Sequence, residues 1–170
     1  KLKQWGKKID LIFNKNNQKS SLLRELSYSI NQFKLRKEDF HSLIDGMRMD
    51  VEKKIQFPQK KDLQLYCKRV AVSVGLLSIR IFGLKSNLGQ KYAFSLGMAF
   101  QITNIVRDFN EDLKIERCYL PLELIKKYKI EKNLKLLKNN PNLQNILQDL
   151  LTEANMYFLE SDKLSETVTK

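Results

Sequence analysis

Glycine and proline are scarce in this chain, and sustained alternation of apolar and polar residues is lacking. Six glycines and three prolines among 170 residues leave little material for tight turns. Without period-two alternation, folds built mainly on β-sheets are disfavoured. Apolar residues recur instead at helical spacing, as at Leu2, Trp5, Ile9 and Ile12. The sequence therefore predicts an all-α protein.

Cysteine and histidine are also few. Cys67 and Cys118 lack metal-ligand spacing, and we expect reduced thiols in a cytoplasmic protein. His41 is the only histidine and stands close to Glu38 and Asp39, which favours a surface position over a catalytic one. These residue types predict neither a zinc centre nor a disulfide framework.

A long uninterrupted apolar run is missing as well. The longest run, from Val70 to Leu84, contains Ser73, Ser78 and Arg80. It is too short and too polar for a membrane span, so it predicts a core helix. No signal peptide is visible, although the first residue is lysine rather than methionine.

Acidic residues are outnumbered, 19 against 31 lysines and arginines, which gives a formal net charge of +12. Such a balance can indicate nucleic-acid binding, but these lysines are scattered along the whole chain. We therefore expect solvated lysine faces and no nucleic-acid partner. A weaker alternative is peripheral contact with an anionic membrane surface. Against this basic background, the acidic residues between 108 and 112 stand out.

Periodicity and turn signals divide the chain into seven predicted helices within one domain. Pro58 ends the third helix because the residue before a proline avoids the α region, and Gly83 ends the fourth. A bundle with a cavity between facing helices accommodates such segments. The predicted helices cover residues 2–13, 22–33, 36–54, 61–82, 87–114, 122–128 and 143–164.

The segment from Gln101 to Asp112 carries the strongest functional signal. Asn104, Asp108 and Asp112 are spaced i, i+4 and i+8, which places them within roughly 80° on one helix face. Oxygen ligands stacked along a helix suit Mg²⁺, whose coordination is usually completed by water and substrate phosphate oxygens. A simply solvated acidic face is the alternative. The same side also carries Gln101, Arg107 and Glu111.

Three further segments accompany this motif in a fixed order. Leu43-Ile-Asp-Gly-Met-Arg-Met-Asp50 and the Tyr66–Gly83 segment precede it, and Arg117-Cys-Tyr-Leu-Pro121 follows it. Together they resemble the squalene/phytoene synthase family of trans-isoprenyl diphosphate synthases, and most closely its bacterial presqualene diphosphate synthase branch. The resemblance covers residues 2–164. It implies an isoprenoid-synthase-type helical bundle around a central cavity.

Members of this family join two allylic diphosphates head to head. The resemblance implies a prenyltransferase of isoprenoid biosynthesis that uses farnesyl or geranylgeranyl diphosphate with Mg²⁺. Its products would be presqualene diphosphate, squalene or phytoene-type compounds. The alternative is a non-catalytic assembly or scaffold protein on the same fold, or an inactive truncated fragment. No glycine-rich dinucleotide motif is present, so we do not predict use of a nicotinamide reductant.

The resemblance also assigns the metal and catalytic residues. Asn104, Asp108 and Asp112 match the Mg²⁺ ligands of the family's second aspartate-rich motif. Arg117 matches a position near the diphosphates, and Tyr119 matches the tyrosine beside them. The implied catalytic set is therefore Asp108, Asp112, Arg117 and Tyr119.

The substrate-binding residues implied by the resemblance form two groups. They are Gln101, Asn104, Arg107 and Arg117 at the diphosphate end, and Tyr66, Val70 and Val74 along a prenyl channel. For Arg107 the alternative is an ion pair with Glu111, and for the apolar stripe it is ordinary core. Gly75 leaves a gap in the same helix that suits either a prenyl tail or close helix packing.

Two further aspartates belong to the Leu43–Asp50 segment. Asp45 and Asp50 are five residues apart, roughly 140° around a helix, so they cannot share a metal as an i,i+4 pair can. For Asp50 the alternative to a role in the site is a solvated face near Lys53 and Lys54. For Asp45 the alternative is a place near the site, held by a neighbouring basic residue.

The family's first Asp-x-x-x-Asp motif has no counterpart here. Only Asp10 occurs before residue 14, and the C-terminus lies near the last family helix. We therefore expect residues 1–170 to be a partial domain that lacks the N-terminal helices with that motif and the C-terminal end.

Overall fold

The computed structural model describes residues 1–14, 20–52, 54–84 and 86–168, with side chains described through residue 165. Within these ranges the regular structure is helical, apart from one isolated bridge between Gln56 and Cys118. The all-α prediction is confirmed. No helix in the described ranges is both long and apolar enough to cross a membrane. Lys53, which the sequence placed beside Asp50, lies outside the described residues.

Ten α-helices and one π-helical segment follow one another along the described chain. The first three predicted helices agree with the structure to within about two residues. The elements are α1 (Leu2–Phe13), α2 (Ser21–Phe33), α3 (Lys37–Glu52), α4 (Lys60–Cys67), the π segment (Lys68–Val72), α5 (Ser73–Ile81), α6 (Asn87–Arg107), α7 (Phe109–Lys114), α8 (Leu122–Lys127), α9 (Leu134–Leu137) and α10 (Leu143–Val168).

The turn after α5 forms where the sequence predicted it. Gly83 has a φ of +85°, a conformation that glycine adopts without a steric cost. The N–H of Leu84 donates to the carbonyl of Ile79 at 2.7 Å, which satisfies the end of the helix. After the turn, Ser86 caps α6 because its hydroxyl accepts a hydrogen bond from the N–H of Gly89 at 3.0 Å.

Two helices that were predicted as continuous are broken in the structure. The π segment divides the predicted helix 61–82, and the hydroxyl of Ser73 donates to the carbonyl of Arg69 at 2.6 Å beside it. The predicted helix 87–114 breaks at Asp108, which has φ −92° and ψ 7°. Such local breaks are common at functional positions. Apolar periodicity does not report them, because the faces on either side keep nearly the same pattern.

The core lies mainly between α6, α10 and the segment after α7. Met98, Leu120, Ile146 and Leu150 are essentially fully buried there. A smaller cluster under α1, α2 and α3 contains Ile12, Leu23, Ile30 and Leu35. Both cysteines are free and buried, and burial raises the pKa of Cys67 to about 12 and that of Cys118 to about 11.

His41 lies between α3 and α1 and is partly exposed. Its Nε2 is 3.0 Å from Oδ1 of Asp10. The same oxygen forms an ion pair with Nζ of Lys37 at 2.7 Å. The three side chains join the two helices. The histidine therefore has a structural contact at the surface, as expected of a non-catalytic residue.

The expectation of a core helix over 70–84 was only half right. Val72 and Ile79 are buried, but Val74, Ile81 and Phe82 are 43%, 46% and 77% exposed. One side of α5 packs on the bundle, and the other side is left open. The open side lines a groove described below.

Close contact between helices depends on glycine at two positions. A Cβ on Gly97 would lie 2.9 Å from the Cα of Val72, and a Cβ on Gly75 would lie 3.1 Å from the carbonyl oxygen of Ala93. The π segment and α5 therefore both approach the backbone of α6 closely. The gap at Gly75 serves close helix packing, one of its two proposed uses.

This packing predicts opposite effects for two glycine-to-alanine changes. Gly97→Ala should lower the free energy of unfolding by ~1–3 kcal/mol, because its methyl group meets the backbone of Val72. Gly6→Ala in α1 is the control, since its nearest neighbour would be 3.9 Å away; it should raise the free energy by roughly 0.5–1 kcal/mol. Urea unfolding measures both. Equal effects of the two changes would contradict the described packing.

Candidate active site

Polar side chains from five parts of the chain converge on a cavity of about 170 Å³, which we call the acidic cavity. Helices α3, α4, α6 and α7 and the segment around Arg117 contribute to it. Most of the residues that the sequence assigned to the site meet here. The lining residues are Asp50, Tyr66, Gln101, Asn104, Ile105, Asp108, Asp112, Arg117 and Tyr119.

Asp50 connects α3 to the catalytic segment. The hydroxyl of Tyr119 donates a short hydrogen bond to Oδ1 of Asp50, and Nη1 of Arg117 lies 3.1 Å from Oδ2. Nη2 of Arg117 also donates to the carbonyl of Asp50 at 3.2 Å. The alternative of a solvated face for Asp50 is wrong. Lys54, which that alternative placed beside it, pairs with Glu116 instead.

A short extended segment directs Arg117 and Tyr119 to the same side. The N–H of Cys118 donates to the carbonyl of Ile55 at 2.8 Å, and the N–H of Phe57 donates to the carbonyl of Cys118 at 3.0 Å. In extended backbone, alternate side chains point the same way. Arg117 and Tyr119 therefore both reach Asp50, while Cys118 faces the core.

Tyr66 and Tyr119 form a stacked pair at the edge of the acidic cavity. Their ring centroids are 5.1 Å apart with an interplanar angle of 21°. Burial raises the pKa of Tyr66, and burial together with the hydrogen bond to Asp50 raises the pKa of Tyr119. Both hydroxyls are therefore protonated at neutral pH, and that of Tyr119 donates to Asp50.

The carboxylates of the predicted metal face experience different electrostatic environments. Burial raises the pKa of Asp112; Arg117 opposes the shift, and the charges of Asp108 and Asp50 add to it. Hydrogen bonds from Arg107, at 2.6 and 2.7 Å, lower the pKa of Asp108. Negative charge thus accumulates around Asp112, where a bound cation would relieve it.

Arg107 does not make the alternative contact considered from the sequence. Glu111 pairs with Lys114 at 3.6 Å, and Arg107 pairs with its neighbour Asp108. Its side chain is exposed and is not among those that line the acidic cavity. The structure brings Gln101, Asn104 and Asp112 together there, but it leaves Arg107 at the rim beside Asp108.

The donor atoms of the acidic cavity fit Mg²⁺. Asn104, Asp108 and Asp112 all line it and offer only oxygen ligands from carboxylates and an amide. Mg²⁺ prefers such oxygens, keeps several waters, and commonly completes its coordination with substrate phosphates. In the ranges that the structure describes, no three His, Cys, Asp or Glu residues form a preassembled metal site.

An apolar groove of about 560 Å³ lies beside this cavity, between α5 and α6. Gln101 and Asn104 line both spaces, so the two adjoin at these residues. Val70 and Val74 line the groove, whereas Tyr66 lines the acidic cavity. The predicted stripe is therefore divided between the two spaces. The side chain of Val74 is too exposed for ordinary core.

Asp45 does not lie in the acidic cavity. Its Oδ1 is 3.5 Å from Nη1 of Arg48, so it does have the basic neighbour expected for it. It lines a separate cavity. The sequence signal for Asp50 was its place in the Leu43–Asp50 motif, whereas the spacing of the two aspartates showed only that they cannot share a metal as an i,i+4 pair can.

Comparison with known protein sequences supports the interpretation of the motifs. The family model for squalene/phytoene synthase matches residues 1–170. Presqualene diphosphate synthase from Zymomonas mobilis is 42% identical over 139 residues, which are 82% of this chain and 48% of that protein. The enzyme of the same name from Rhodopseudomonas palustris is 38% identical over 96% of this chain and 58% of its own length. A 15-cis-phytoene synthase from Pantoea ananas is 37% identical over 69% of this chain and 38% of its own length.

Solved structures share the same fold. Squalene synthase HpnC from Alicyclobacillus acidocaldarius superimposes with a TM-score of 0.89 at 22% identity, covering 98% of this chain and 63% of that one. A dehydrosqualene synthase superimposes with a TM-score of 0.83 at 26% identity, covering 97% of this chain and 58% of that one. The chain thus spans about half the length of the curated relatives it matches. Because the family model matches throughout and these relatives agree, the chain belongs to the squalene/phytoene synthase family.

Proposed function

We propose that this chain carries part of the site of a prenyltransferase that joins two prenyl diphosphates head to head. The observation that supports this most strongly is that the acidic cavity and the apolar groove adjoin at Gln101 and Asn104, which line both. A cavity rich in carboxylates suits a diphosphate held through cations, and an apolar groove suits the attached hydrocarbon. A prenyl diphosphate combines these two chemical features in one molecule.

The residues divide the chemical work according to their positions. Asn104, Asp108 and Asp112 would hold Mg²⁺, which when bound would neutralise the departing diphosphate. Arg117, fixed by Asp50, places a guanidinium at the same cavity, where it stabilises negative charge on phosphate oxygens. The groove walls exclude water from the reacting carbon atoms, which protects a carbocation from hydrolysis.

We propose farnesyl or geranylgeranyl diphosphate as the substrate. The names of the relatives, presqualene diphosphate synthase and phytoene synthase, support products built from two such units. The groove opens at Phe82, which is the most exposed aromatic side chain of α5 and its flanking turn. Together with the net charge of +12, this opening supports a cytoplasmic protein with peripheral contact to an anionic membrane.

A non-catalytic scaffold is the less favoured alternative. The described relatives are synthases, and the chain retains Asn104, Asp108, Asp112, Arg117 and Tyr119 in one cavity. A scaffold would have no need to keep this set of oxygen ligands together. Diphosphate binding that depends on Mg²⁺ therefore distinguishes the two functions.

The metal assignment predicts a selective loss of Mg²⁺-dependent diphosphate binding. Asp108→Asn and Asp112→Asn should each weaken it at least tenfold, about 1.4 kcal/mol, because each removes a carboxylate from the metal face. Glu111→Gln is the matched control. It removes the same charge from α7, but Glu111 is exposed and pairs with Lys114. Calorimetry with inorganic pyrophosphate and Mg²⁺ measures all three variants, and equal weakening by Glu111→Gln would refute the assignment.

The pKa of Asp112 predicts how this binding depends on pH. Burial raises that pKa, so the carboxylate gains its proton at a higher pH than an ordinary aspartate. Mg²⁺ requires the charged form. Affinity should therefore fall as the pH is lowered through the raised pKa, and Asp112→Asn should remove this part of the pH dependence. Titrations of both proteins across the acidic range test it, and parallel pH profiles would contradict it.

The groove assignment predicts that bulk at Val74 blocks the prenyl chain. Farnesyl diphosphate should bind the unmodified chain more tightly than pyrophosphate does, and Val74→Phe should abolish this difference. The free energy of unfolding should fall by at most ~1–3 kcal/mol. Ile81→Phe is the control, because Ile81 is similarly exposed on α5 but does not line the groove. Binding of farnesyl diphosphate and of pyrophosphate is compared in both variants. Unchanged farnesyl affinity in a folded Val74→Phe protein would rule out this groove.

A further inference from the structure

A third cavity, of about 600 Å³, lies between α3 and α4. We call it the Arg69 cavity. Its volume falls within the ~300–1,000 Å³ range of small-molecule sites. Met49, Ile55 and Leu63 contribute apolar walls, and Tyr66 lines both this cavity and the acidic cavity. Nothing in the site described above uses this space.

Arg69 lines this cavity without a carboxylate partner. The other two cations of the lining are paired, Arg48 with Glu52 at 3.1 Å and Lys54 with Glu116. The guanidinium of Arg69 instead directs Nη1 to the sulfur of Met49 at 3.2 Å. A thioether is a weak acceptor. Among the residues that the structure describes, no carboxylate lies within ion-pair distance of Arg69.

The position of Arg69 is fixed by close packing. A Cβ on Gly46 would lie 2.7 Å from the Cβ of Arg69, so α3 passes directly against the stem of this arginine. The side chain is half-buried. A partly desolvated cation without a counter-charge is unfavourable unless an anion joins it. A planar guanidinium held by its stem is suited to bind a phosphate or carboxylate through two parallel hydrogen bonds.

The other charges of the cavity narrow the ligand class. Asp45 and Glu52 also line it but are paired with Arg48 at 3.5 and 3.1 Å, so the remaining lining carboxylate that opposes an anion is Asp62. A ligand therefore needs apolar contact in addition to its charge. We propose that the Arg69 cavity binds an amphiphile with a phosphate or diphosphate headgroup, with the headgroup at Arg69 and the hydrocarbon against Met49 and Leu63. This binding does not depend on a metal.

Calorimetric titration in the presence of EDTA isolates this site, because chelation removes the cations that the acidic cavity requires. Farnesyl diphosphate and inorganic pyrophosphate are the two probes. We expect Arg69→Met to weaken farnesyl diphosphate binding at least tenfold. Arg69→Lys should weaken it less, because a single ammonium group keeps the positive charge but replaces the two-pronged guanidinium. Lys68→Met is the matched control. It removes the same charge one residue away, but Lys68 lies over the ring of Phe94, 5.5 Å from its centroid.

The site is supported if Arg69→Met weakens the binding of farnesyl diphosphate while Lys68→Met leaves it within twofold of the unmodified chain. No binding in EDTA, unchanged binding by Arg69→Met, or equal weakening by Lys68→Met would overturn it. If pyrophosphate binds as strongly as farnesyl diphosphate, the proposal of an amphiphilic ligand is overturned, and free phosphate compounds are the ligands instead. If circular dichroism shows that Arg69→Met is unfolded, the binding of farnesyl diphosphate by Arg69→Lys is compared with that of the unmodified chain in its place. Failure of the proposed prenyltransferase site would appear separately, in Mg²⁺-dependent binding by the Asp108→Asn and Asp112→Asn variants.

Discussion

The contact of Asp50 with Arg117 and Tyr119 is the interaction on which the candidate site depends. It joins residues that are 67 and 69 positions apart and brings the end of α3 against the extended segment that follows α7. The bridge at Cys118 fixes the direction of the two side chains, and stacking on Tyr66 fixes the ring of Tyr119. The acidic cavity is the space enclosed by these contacts together with α6.

The acidic cavity concentrates negative charge in a small space, which a stable protein without ligands would avoid. Asp50, Asp108 and Asp112 surround one small space; burial raises the pKa of Asp112, and repulsion by the other two carboxylates adds to the shift. Arg117 offsets part of this repulsion. The remaining imbalance is what a cation and a diphosphate would relieve. Next to it, the exposed apolar side of α5 is unfavourable in water but suited to a hydrocarbon. Both features cost stability and are understandable as parts of a binding site.

Much of this could be predicted from the sequence, and the exceptions have physical causes. The helical bundle, the turn at Gly83 and the convergence of Asn104 with Asp112 follow from local periodicity and spacing. The role of Asp50 could not be derived this way, because its partners are distant in the sequence and are selected by tertiary packing. The breaks at Lys68–Val72 and at Asp108 leave the apolar pattern almost unchanged. Local sequence did not decide whether Val74 is core or channel wall, because hydrophobicity does not show which side of a helix lacks a neighbour.

A comparison of Asp50→Asn with Asp45→Asn tests the central claim most directly. Both changes remove one negative charge from α3, but Asp45 pairs with Arg48 and does not line the acidic cavity. The measurement is the Mg²⁺-dependent affinity for inorganic pyrophosphate, because Asp45 lines the Arg69 cavity, where farnesyl diphosphate is proposed to bind. If Asp50 organises the site, Asp50→Asn weakens this affinity at least tenfold, about 1.4 kcal/mol, and Asp45→Asn leaves it within twofold. Equal affinities of the two variants, in proteins that are both folded, would contradict the account.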